Sequence, residues 1–294
     1  MILSMTGFGA SERHEAGVSW RVEIRSLNNR YFKAAIKLPE SLGGLETVVE
    51  KRLRDRVGRG SITFSLTMKD ESPAAASEIN VAALRAYADR LLSVGKSLGL
   101  NGAIDLAALV TLPGVAQART VDANTLATFR TLVESLTDAA VSRLVEMRQV
   151  EGAALRNDLL SQCEKLRALV AQVRQRGPRV VEEYQQKLRA RVNALMAANE
   201  LSLKADDLIR EIAIFADRSD VNEELTRLDG HLDHFAALCD VPEEAGRKLD
   251  FLAQEMLREA NTVGSKANDG SIARLVVDMK TIIDRIKEQV QNVE

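Results

Sequence analysis

VSWRVEIRSLNNRYFKAAIKLPESLGGLETVVEKRLRDRVGRGSITFSLTMK, residues 18–69, changes its hydrophobic period twice. In VSWRVEIRSLN apolar and polar residues alternate, as in a strand that buries one face. YFKAAIKLP continues as a further strand. SLGGLETVVEKRLRDRVG then spaces Leu42, Leu45, Val48, Val49 and Leu53 as one face of an amphipathic helix and ends at Gly58. SITFSLTMK returns to a period of two. Upstream, MILSMTGFGASER alternates as well, and Gly17 lies in the polar turn before Val18. Residues 1–70 are therefore expected to form a small α+β unit of about four strands and one helix.

Downstream, DESPAAASE with Pro73 is a linker or surface loop, and from Val81 the pattern is helical. VAALRAYADRLLSVGKSLGL reads as one helix, and NGAIDLAALVTLPGV as a short one ended near Pro113. Residues 126–177 are periodic throughout, with Gly152 a candidate interruption, and VVEEYQQKLRARVNALMA forms a second long stretch after Gly177 and Pro178. Long helices without a broad apolar face pack as arms, as coiled coils or against partner chains, which predicts an oligomer. The last ninety residues resolve into ADDLIREIAIFADR, DVNEELTRLDGHLDHFAALC, a turn around Pro242, GRKLDFLAQEMLREANTVGSK and SIARLVVDMKTIIDRIKEQVQNVE, with Asp206 and Asp220 as candidate N-caps. The expected fold class is α+β: a small N-terminal α+β domain, long helices and a C-terminal helical domain. The boundaries fall at 1–155, 156–205 and 206–294.

With 294 residues, 46% hydrophobic and 28% charged, the chain can bury a real core without staples. Cys163 and Cys239 are far apart and lack metal-site spacing, so neither a disulfide framework nor structural zinc is indicated and a reducing cytoplasm fits. No export signal or membrane span is visible. The net charge of −2 argues against a chain coated in positive charge. Residues 1–70 nevertheless carry twelve Lys and Arg against eight acids, leaving the remainder acidic. That asymmetry permits a polyanion-binding face at one end and a carboxylate-rich site at the other.

Helical phase locates the second of these. At about 100° per residue, Leu249, Leu252, Met256, Ala260 and Val263 form the buried stripe of their helix, and Lys248, Glu255, Glu259, Thr262 and Lys266 border it on one side. In the preceding helix, Val221, Leu225, Leu228, Leu232 and Phe235 form the stripe. Asp217, Asp220, Glu224, Arg227 and His231 lie on the flank of the same sense. Antiparallel packing brings such flanks together, with Glu224 opposite about Glu259 and His231 near Lys248 and Glu255. Such an edge could bind a hard divalent cation, perform acid/base work, or simply hold the hairpin together by interhelical salt bridges. His234 faces more towards solvent and His14 lies in a turn-like segment, so neither is a candidate.

In RSLNNRYFK, Arg25, Asn28, Asn29, Arg30 and Lys33 supply donors for phosphates and base edges, and Tyr31 or Phe32 could offer a stacking face. A cationic strand facing water, with the two asparagines in its turn, explains the same residues. No Walker loop, HExxH or GxSxG is present.

The start MILSMTGFG, the phrase RSLNNRY, the run GRKLDFLAQEMLREANTVGSKAND and the ending IKEQVQNVE closely resemble the bacterial YicC/YloC family. The likeness runs from end to end. The resemblance implies a cytoplasmic endoribonuclease, linked to stress survival, that acts on single-stranded or structured RNA with a divalent metal ion. It also implies a homohexamer, built through the N-terminal domain and the long helices, that can enclose RNA. Matching positions include Asn28, Arg30, Glu223, Glu224, His231, Arg247, Asp250, Glu255, Arg258, Glu259, Asn261, Ser265 and Lys266. The expected catalytic residues are Glu224, His231, Glu255 and Glu259, with Glu224, Glu255 and Glu259 holding Mn or Mg. Arg25, Asn28, Arg30, Arg247, Lys248, Arg258 and Lys266 are expected to bind RNA. Other RNA-decay proteins are further candidate partners. The alternative is a non-catalytic oligomeric adaptor that presents small RNAs to another nuclease.

Overall fold

The computed structural model describes residues 2–15, 17–71, 78–99, 103–117, 123–199, 205–241 and 245–294. The Pro73 linker and the turn at Pro242 fall outside them. The chain forms two compact units, Phe8–Ser26 with Tyr31–Val145, and Met1–Gly7 with Leu27–Arg30 and Glu146–Glu294.

The first unit follows the α+β expectation. Its elements are β1 (Gly7–Glu15), β2 (Val18–Leu27), β3 (Phe32–Lys37), a 3-10 turn at Glu40–Leu45, α1 (Glu46–Arg56) and β4 (Gly60–Asp70). The strands lie in the order β1-β2-β4-β3. β3 and β4 are parallel, with Phe32 opposite Gly60 and Ile36 opposite Phe64. Parallel neighbours cannot be joined by a tight hairpin, and α1 supplies the crossover. Alternation buries Trp20, Val22 and Ile24 from β2 and Ile62, Phe64 and Leu66 from β4, against Val49 and Leu53 of α1 and Leu136, Ala140 and Leu144 of the long helix α4 (Ala123–Asn199). Arg52 ties α1 to α4 through Glu134 at 2.7 Å and Asp138 at 2.5 Å. A second, two-stranded sheet, β5 (Glu78–Ile79) with β6 (Ala116–Gln117), is antiparallel and was not legible in the sequence. Beside it in sequence lie α2 (Val81–Ser97), which has no buried residue, and α3 (Leu106–Val110).

α4 is one helix of 77 residues, where breaks at Gly152 and at Gly177–Pro178 were candidates. Proline lacks the donor for the carbonyl of Arg174 and costs about 3 kcal/mol in a helix interior. Val173 and Val180, buried on either side of Pro178, hold the helix through it.

The second unit is helical: α5 (Ala205–Ser219), α6 (Asn222–Leu238), α7 (Ala245–Lys266) and α8 (Gly270–Val290). α7 packs against both α6 and α8. Asp269 caps α8 by accepting from the backbone N–H of Ser271 and of Ile272. Asp206 lies inside the first turn of α5 instead of capping it. The N-cap of α6 is Val221, with Asp220 one position earlier accepting from the Asn222 N–H at 2.9 Å. The N-terminal segment lies against the C-terminal one through an antiparallel bridge between Ser4 and Val293. Arg148, 2% exposed, donates to the carbonyl of Ser4 at 2.5 Å and pairs with Glu294. Cys163 and Cys239 are free and buried, and burial pushes their thiols up to about 12 and about 11. No helix among the described residues is long and apolar enough to cross a membrane.

Candidate functional site

The apolar stripes of α6 and α7 are buried as helical phase predicts: Leu225, Leu228, Leu232 and Phe235 on one helix, Leu249, Leu252, Met256, Ala260 and Val263 on the other. Bordering them, Glu224 and Glu259 are only 3% and 6% exposed. A buried carboxylate must be paired or neutralised, and Arg227 and Lys266 do the pairing. Arg227 donates through Nε and Nη2 to the two carboxylate oxygens of Glu259, each at 2.9 Å. The same Nη2 lies 3.3 Å from Glu224 Oε1, and Nη1 donates to Glu223 at 2.5 Å. Lys266 Nζ donates to Glu224 Oε1 at 2.7 Å, while Glu224 Oε2 is buried without a hydrogen-bond partner among the described residues.

Glu224 is held in its ionised form. Burial works against the Glu224 carboxylate, but the hydrogen bond from Lys266 and the charges of Lys266 and Arg227 outweigh it and hold the group below its ordinary value. Glu259 raises the Arg227 guanidinium, and Glu224 raises the Lys266 ammonium. A lowered folded-state value makes the Glu224 contribution present above the ordinary value of 4.5 and lost as the pH falls through the folded value. Glu224→Gln is therefore expected to flatten the acid limb of stability against pH, measured by urea unfolding. An acid limb as steep as the wild type's would contradict this.

The structure thus brings together Glu224, Glu259 and Lys266 from the expected set. Arg227, only a border residue in the sequence reading, lies at their centre. His231, one helical turn beyond Arg227, is half-buried and has no hydrogen-bond or ion-pair partner among the described residues. Glu255 is half-buried, with Arg258 at 3.8 Å. Arg247 and Lys248 are exposed near the start of α7. In the N-terminal part of the chain, Asn28 Nδ2 donates to the carbonyl of Gln291 at 2.6 Å, so its amide is committed to fastening the chain end. Arg30 is exposed. In the other unit, the Arg25 guanidinium lies 5.6 Å from the centre of the Phe8 ring.

Among the described residues no set of three or more His, Cys, Asp or Glu side chains is placed to hold a metal ion. Glu224, Glu255 and Glu259, the expected ligands, are not gathered into such a set in this arrangement. The reason is local: a guanidinium and an ammonium already pair with Glu224 and Glu259, and Glu255 has Arg258 as its ion-pair partner.

One feature had little signal in the sequence. Tyr184 of α4 and Phe215 of α5 stack with ring centres 3.6 Å apart and planes 7° from parallel. Each stands singly in a charged helical stretch, and only their scarcity in a chain with 4% aromatic residues marks them.

Comparison with known proteins covers the chain from end to end. Residues 2–157 match the family described as endoribonuclease YicC-like, N-terminal region, and residues 173–294 match endoribonuclease YicC-like, C-terminal. A Clostridioides difficile protein named probable endoribonuclease YicC is 30% identical over 298 residues, covering all of both chains. A Haemophilus influenzae protein of the same name is 31% identical over 295 residues, again covering both completely. With both family regions in order and relatives matched along their whole length, this chain belongs to the YicC-like endoribonuclease family.

Proposed function

We propose that this protein is an endoribonuclease that cuts RNA phosphodiester bonds in bacterial RNA turnover, with the α6–α7 edge as its active region. The observation that carries this reading is the full-length relationship to proteins named probable endoribonuclease. The edge supplies suitable local chemistry. Arg247, Lys248 and Arg258 are exposed cations that attract the RNA backbone. Arg227 and Lys266 are held at this edge by Glu259 and Glu224, where they add positive charge beside the exposed cations. His231, unengaged and one turn away on α6, is the side chain best suited to move a proton.

The test is internal cleavage of end-labelled RNA by purified wild type and by Glu259→Gln, with Mn²⁺, with Mg²⁺ and with chelator. Wild type is expected to cut and the variant to lose most of that activity. Equal cleavage by both would remove Glu259 from the reaction. RNA binding without cleavage by clean wild type would overturn the enzyme reading in favour of the adaptor. Dependence on an added cation, and the end group left on the product, separate attack by water from attack by the ribose 2′-hydroxyl.

A cytoplasmic homohexamer, with other RNA-decay proteins as partners, belongs to the same proposal. Supporting self-association, α2 and the residue after it leave Leu91, Leu92, Val94 and Leu98 about half exposed or more. Leu91→Asp is expected to lower the mass measured by light scattering, and an unchanged mass would remove α2 from the interface.

A further inference from the structure

Beside the charged edge lies a cavity of about 430 Å³, lined among others by Tyr184 of α4, Glu211, Phe215 and Arg218 of α5, Lys266 at the end of α7 and Asn268 just beyond it. Its volume falls within the range of small-ligand sites, about 300–1,000 Å³. The stacked Tyr184 and Phe215 rings form one wall. Both are half-buried, so the aromatic surface is not sunk in the core. The Tyr184 hydroxyl reaches a carboxylate oxygen of Glu211 at 3.5 Å. Lys266 belongs to the cavity and to the charged edge at once, because its Nζ is held by the buried Glu224.

These groups are chemically complementary to one nucleotide. A flat aromatic wall offers stacking to a base that has left its own stack. A carboxylate accepts from an exocyclic amine, which adenine, cytosine and guanine carry and uracil lacks. Two cations at the same opening suit a phosphate, which a purely apolar ligand would leave unpaired. We propose that this cavity receives a single unstacked ribonucleotide of the RNA, its base against the Tyr184–Phe215 wall and its phosphate between Arg218 and Lys266. The proposal rests on the endoribonuclease reading, since it names where that substrate is gripped. Drawing Lys266 towards a phosphate weakens its hold on Glu224, so occupancy of the cavity is coupled to the charge balance of the edge.

The test uses the full-length protein and a short single-stranded 2′-O-methyl RNA carrying one 2-aminopurine, whose fluorescence falls when it stacks on an aromatic ring. Anisotropy of an end label reads binding separately. Wild type is expected to bind and quench. Tyr184→Leu should weaken binding roughly tenfold and lose the quenching, while Tyr184→Phe retains both. Should Tyr184→Leu fail to fold, Arg218→Gln on the exposed end of α5 takes its place, with weaker binding and a salt dependence reduced by about one phosphate contact. A folded Tyr184→Leu or Arg218→Gln that binds like wild type, or a wild type that binds without quenching, overturns the cavity proposal and leaves the enzyme reading standing. Wild type that neither binds nor cuts RNA overturns both.

Discussion

Arg227→Met is expected to lower the urea midpoint of unfolding and to abolish RNA cleavage. Two carboxylates depend on this one guanidinium. The Glu259 side chain is 8% exposed and both its oxygens are bonded to Arg227, so the variant strands a buried charge that has no second ion-pair partner among the described residues. Glu224 fares better because Lys266 remains. The Arg227 side chain is itself 40% exposed, and its contact with the exposed Glu223 adds little, which keeps the expected loss below that of a fully buried pair. Methionine preserves the stem's packing, so the loss reads the missing charge and not a hole. Urea unfolding of Arg227→Met, Glu259→Gln and the double variant completes a thermodynamic cycle. Recovery of stability in the double variant, with cleavage still absent, is the expected pattern. Three equal unfolding midpoints would mean that the ion pair contributes nothing to stability.

Much of this edge was legible from helical phase alone. Glu224 and Glu259 fall beside the apolar stripes of their helices at a fixed rotation, and a short connection sets their register. Phase gives the direction in which a side chain leaves its helix, and no more. It could not tell that Arg227 would reach across and take Glu259 with two nitrogens, or that Glu255, one turn from Glu259, would have Arg258 as its partner. Long flexible side chains choose partners by local competition, which a single sequence does not encode. The α+β unit was legible because its periods alternate cleanly between two and 3.6. The parallel pairing of β3 with β4 follows from which edge β3 joins, a contact between distant segments. β5 and β6 have two residues each, too few for any period. Tyr184 and Phe215 lie 31 positions apart on different helices, so no local pattern joins them.

Gly152 is the residue where local reasoning misleads most, and it gives the second large effect. Helix propensity predicts that Gly→Ala inside a helix adds about 1 kcal/mol of stability. At Gly152 the sign is expected to reverse. A Cβ there would lie 2.4 Å from the carbonyl oxygen of Ile2 and 2.9 Å from Cα of Leu3, both backbone atoms. That segment has little freedom to yield. The Ser4 N–H donates to the carbonyl of Arg148 at 3.1 Å, Met5 N–H to Asn292 at 2.9 Å, and Glu294 N–H to Leu3 at 2.9 Å. Thr6 donates to Glu151 at 2.8 Å. Gly152→Ala is therefore expected to cost about 2–3 kcal/mol, in the range of overpacked cores. The matched comparison is Gly230→Ala in α6, where a Cβ meets nothing within 4 Å and propensity acts alone, giving a gain of about 0.5–1 kcal/mol. Urea unfolding of the two single variants should move the midpoint in opposite directions. If both moved upward, the N-terminal segment would have room to shift, and glycine at 152 would serve no close approach.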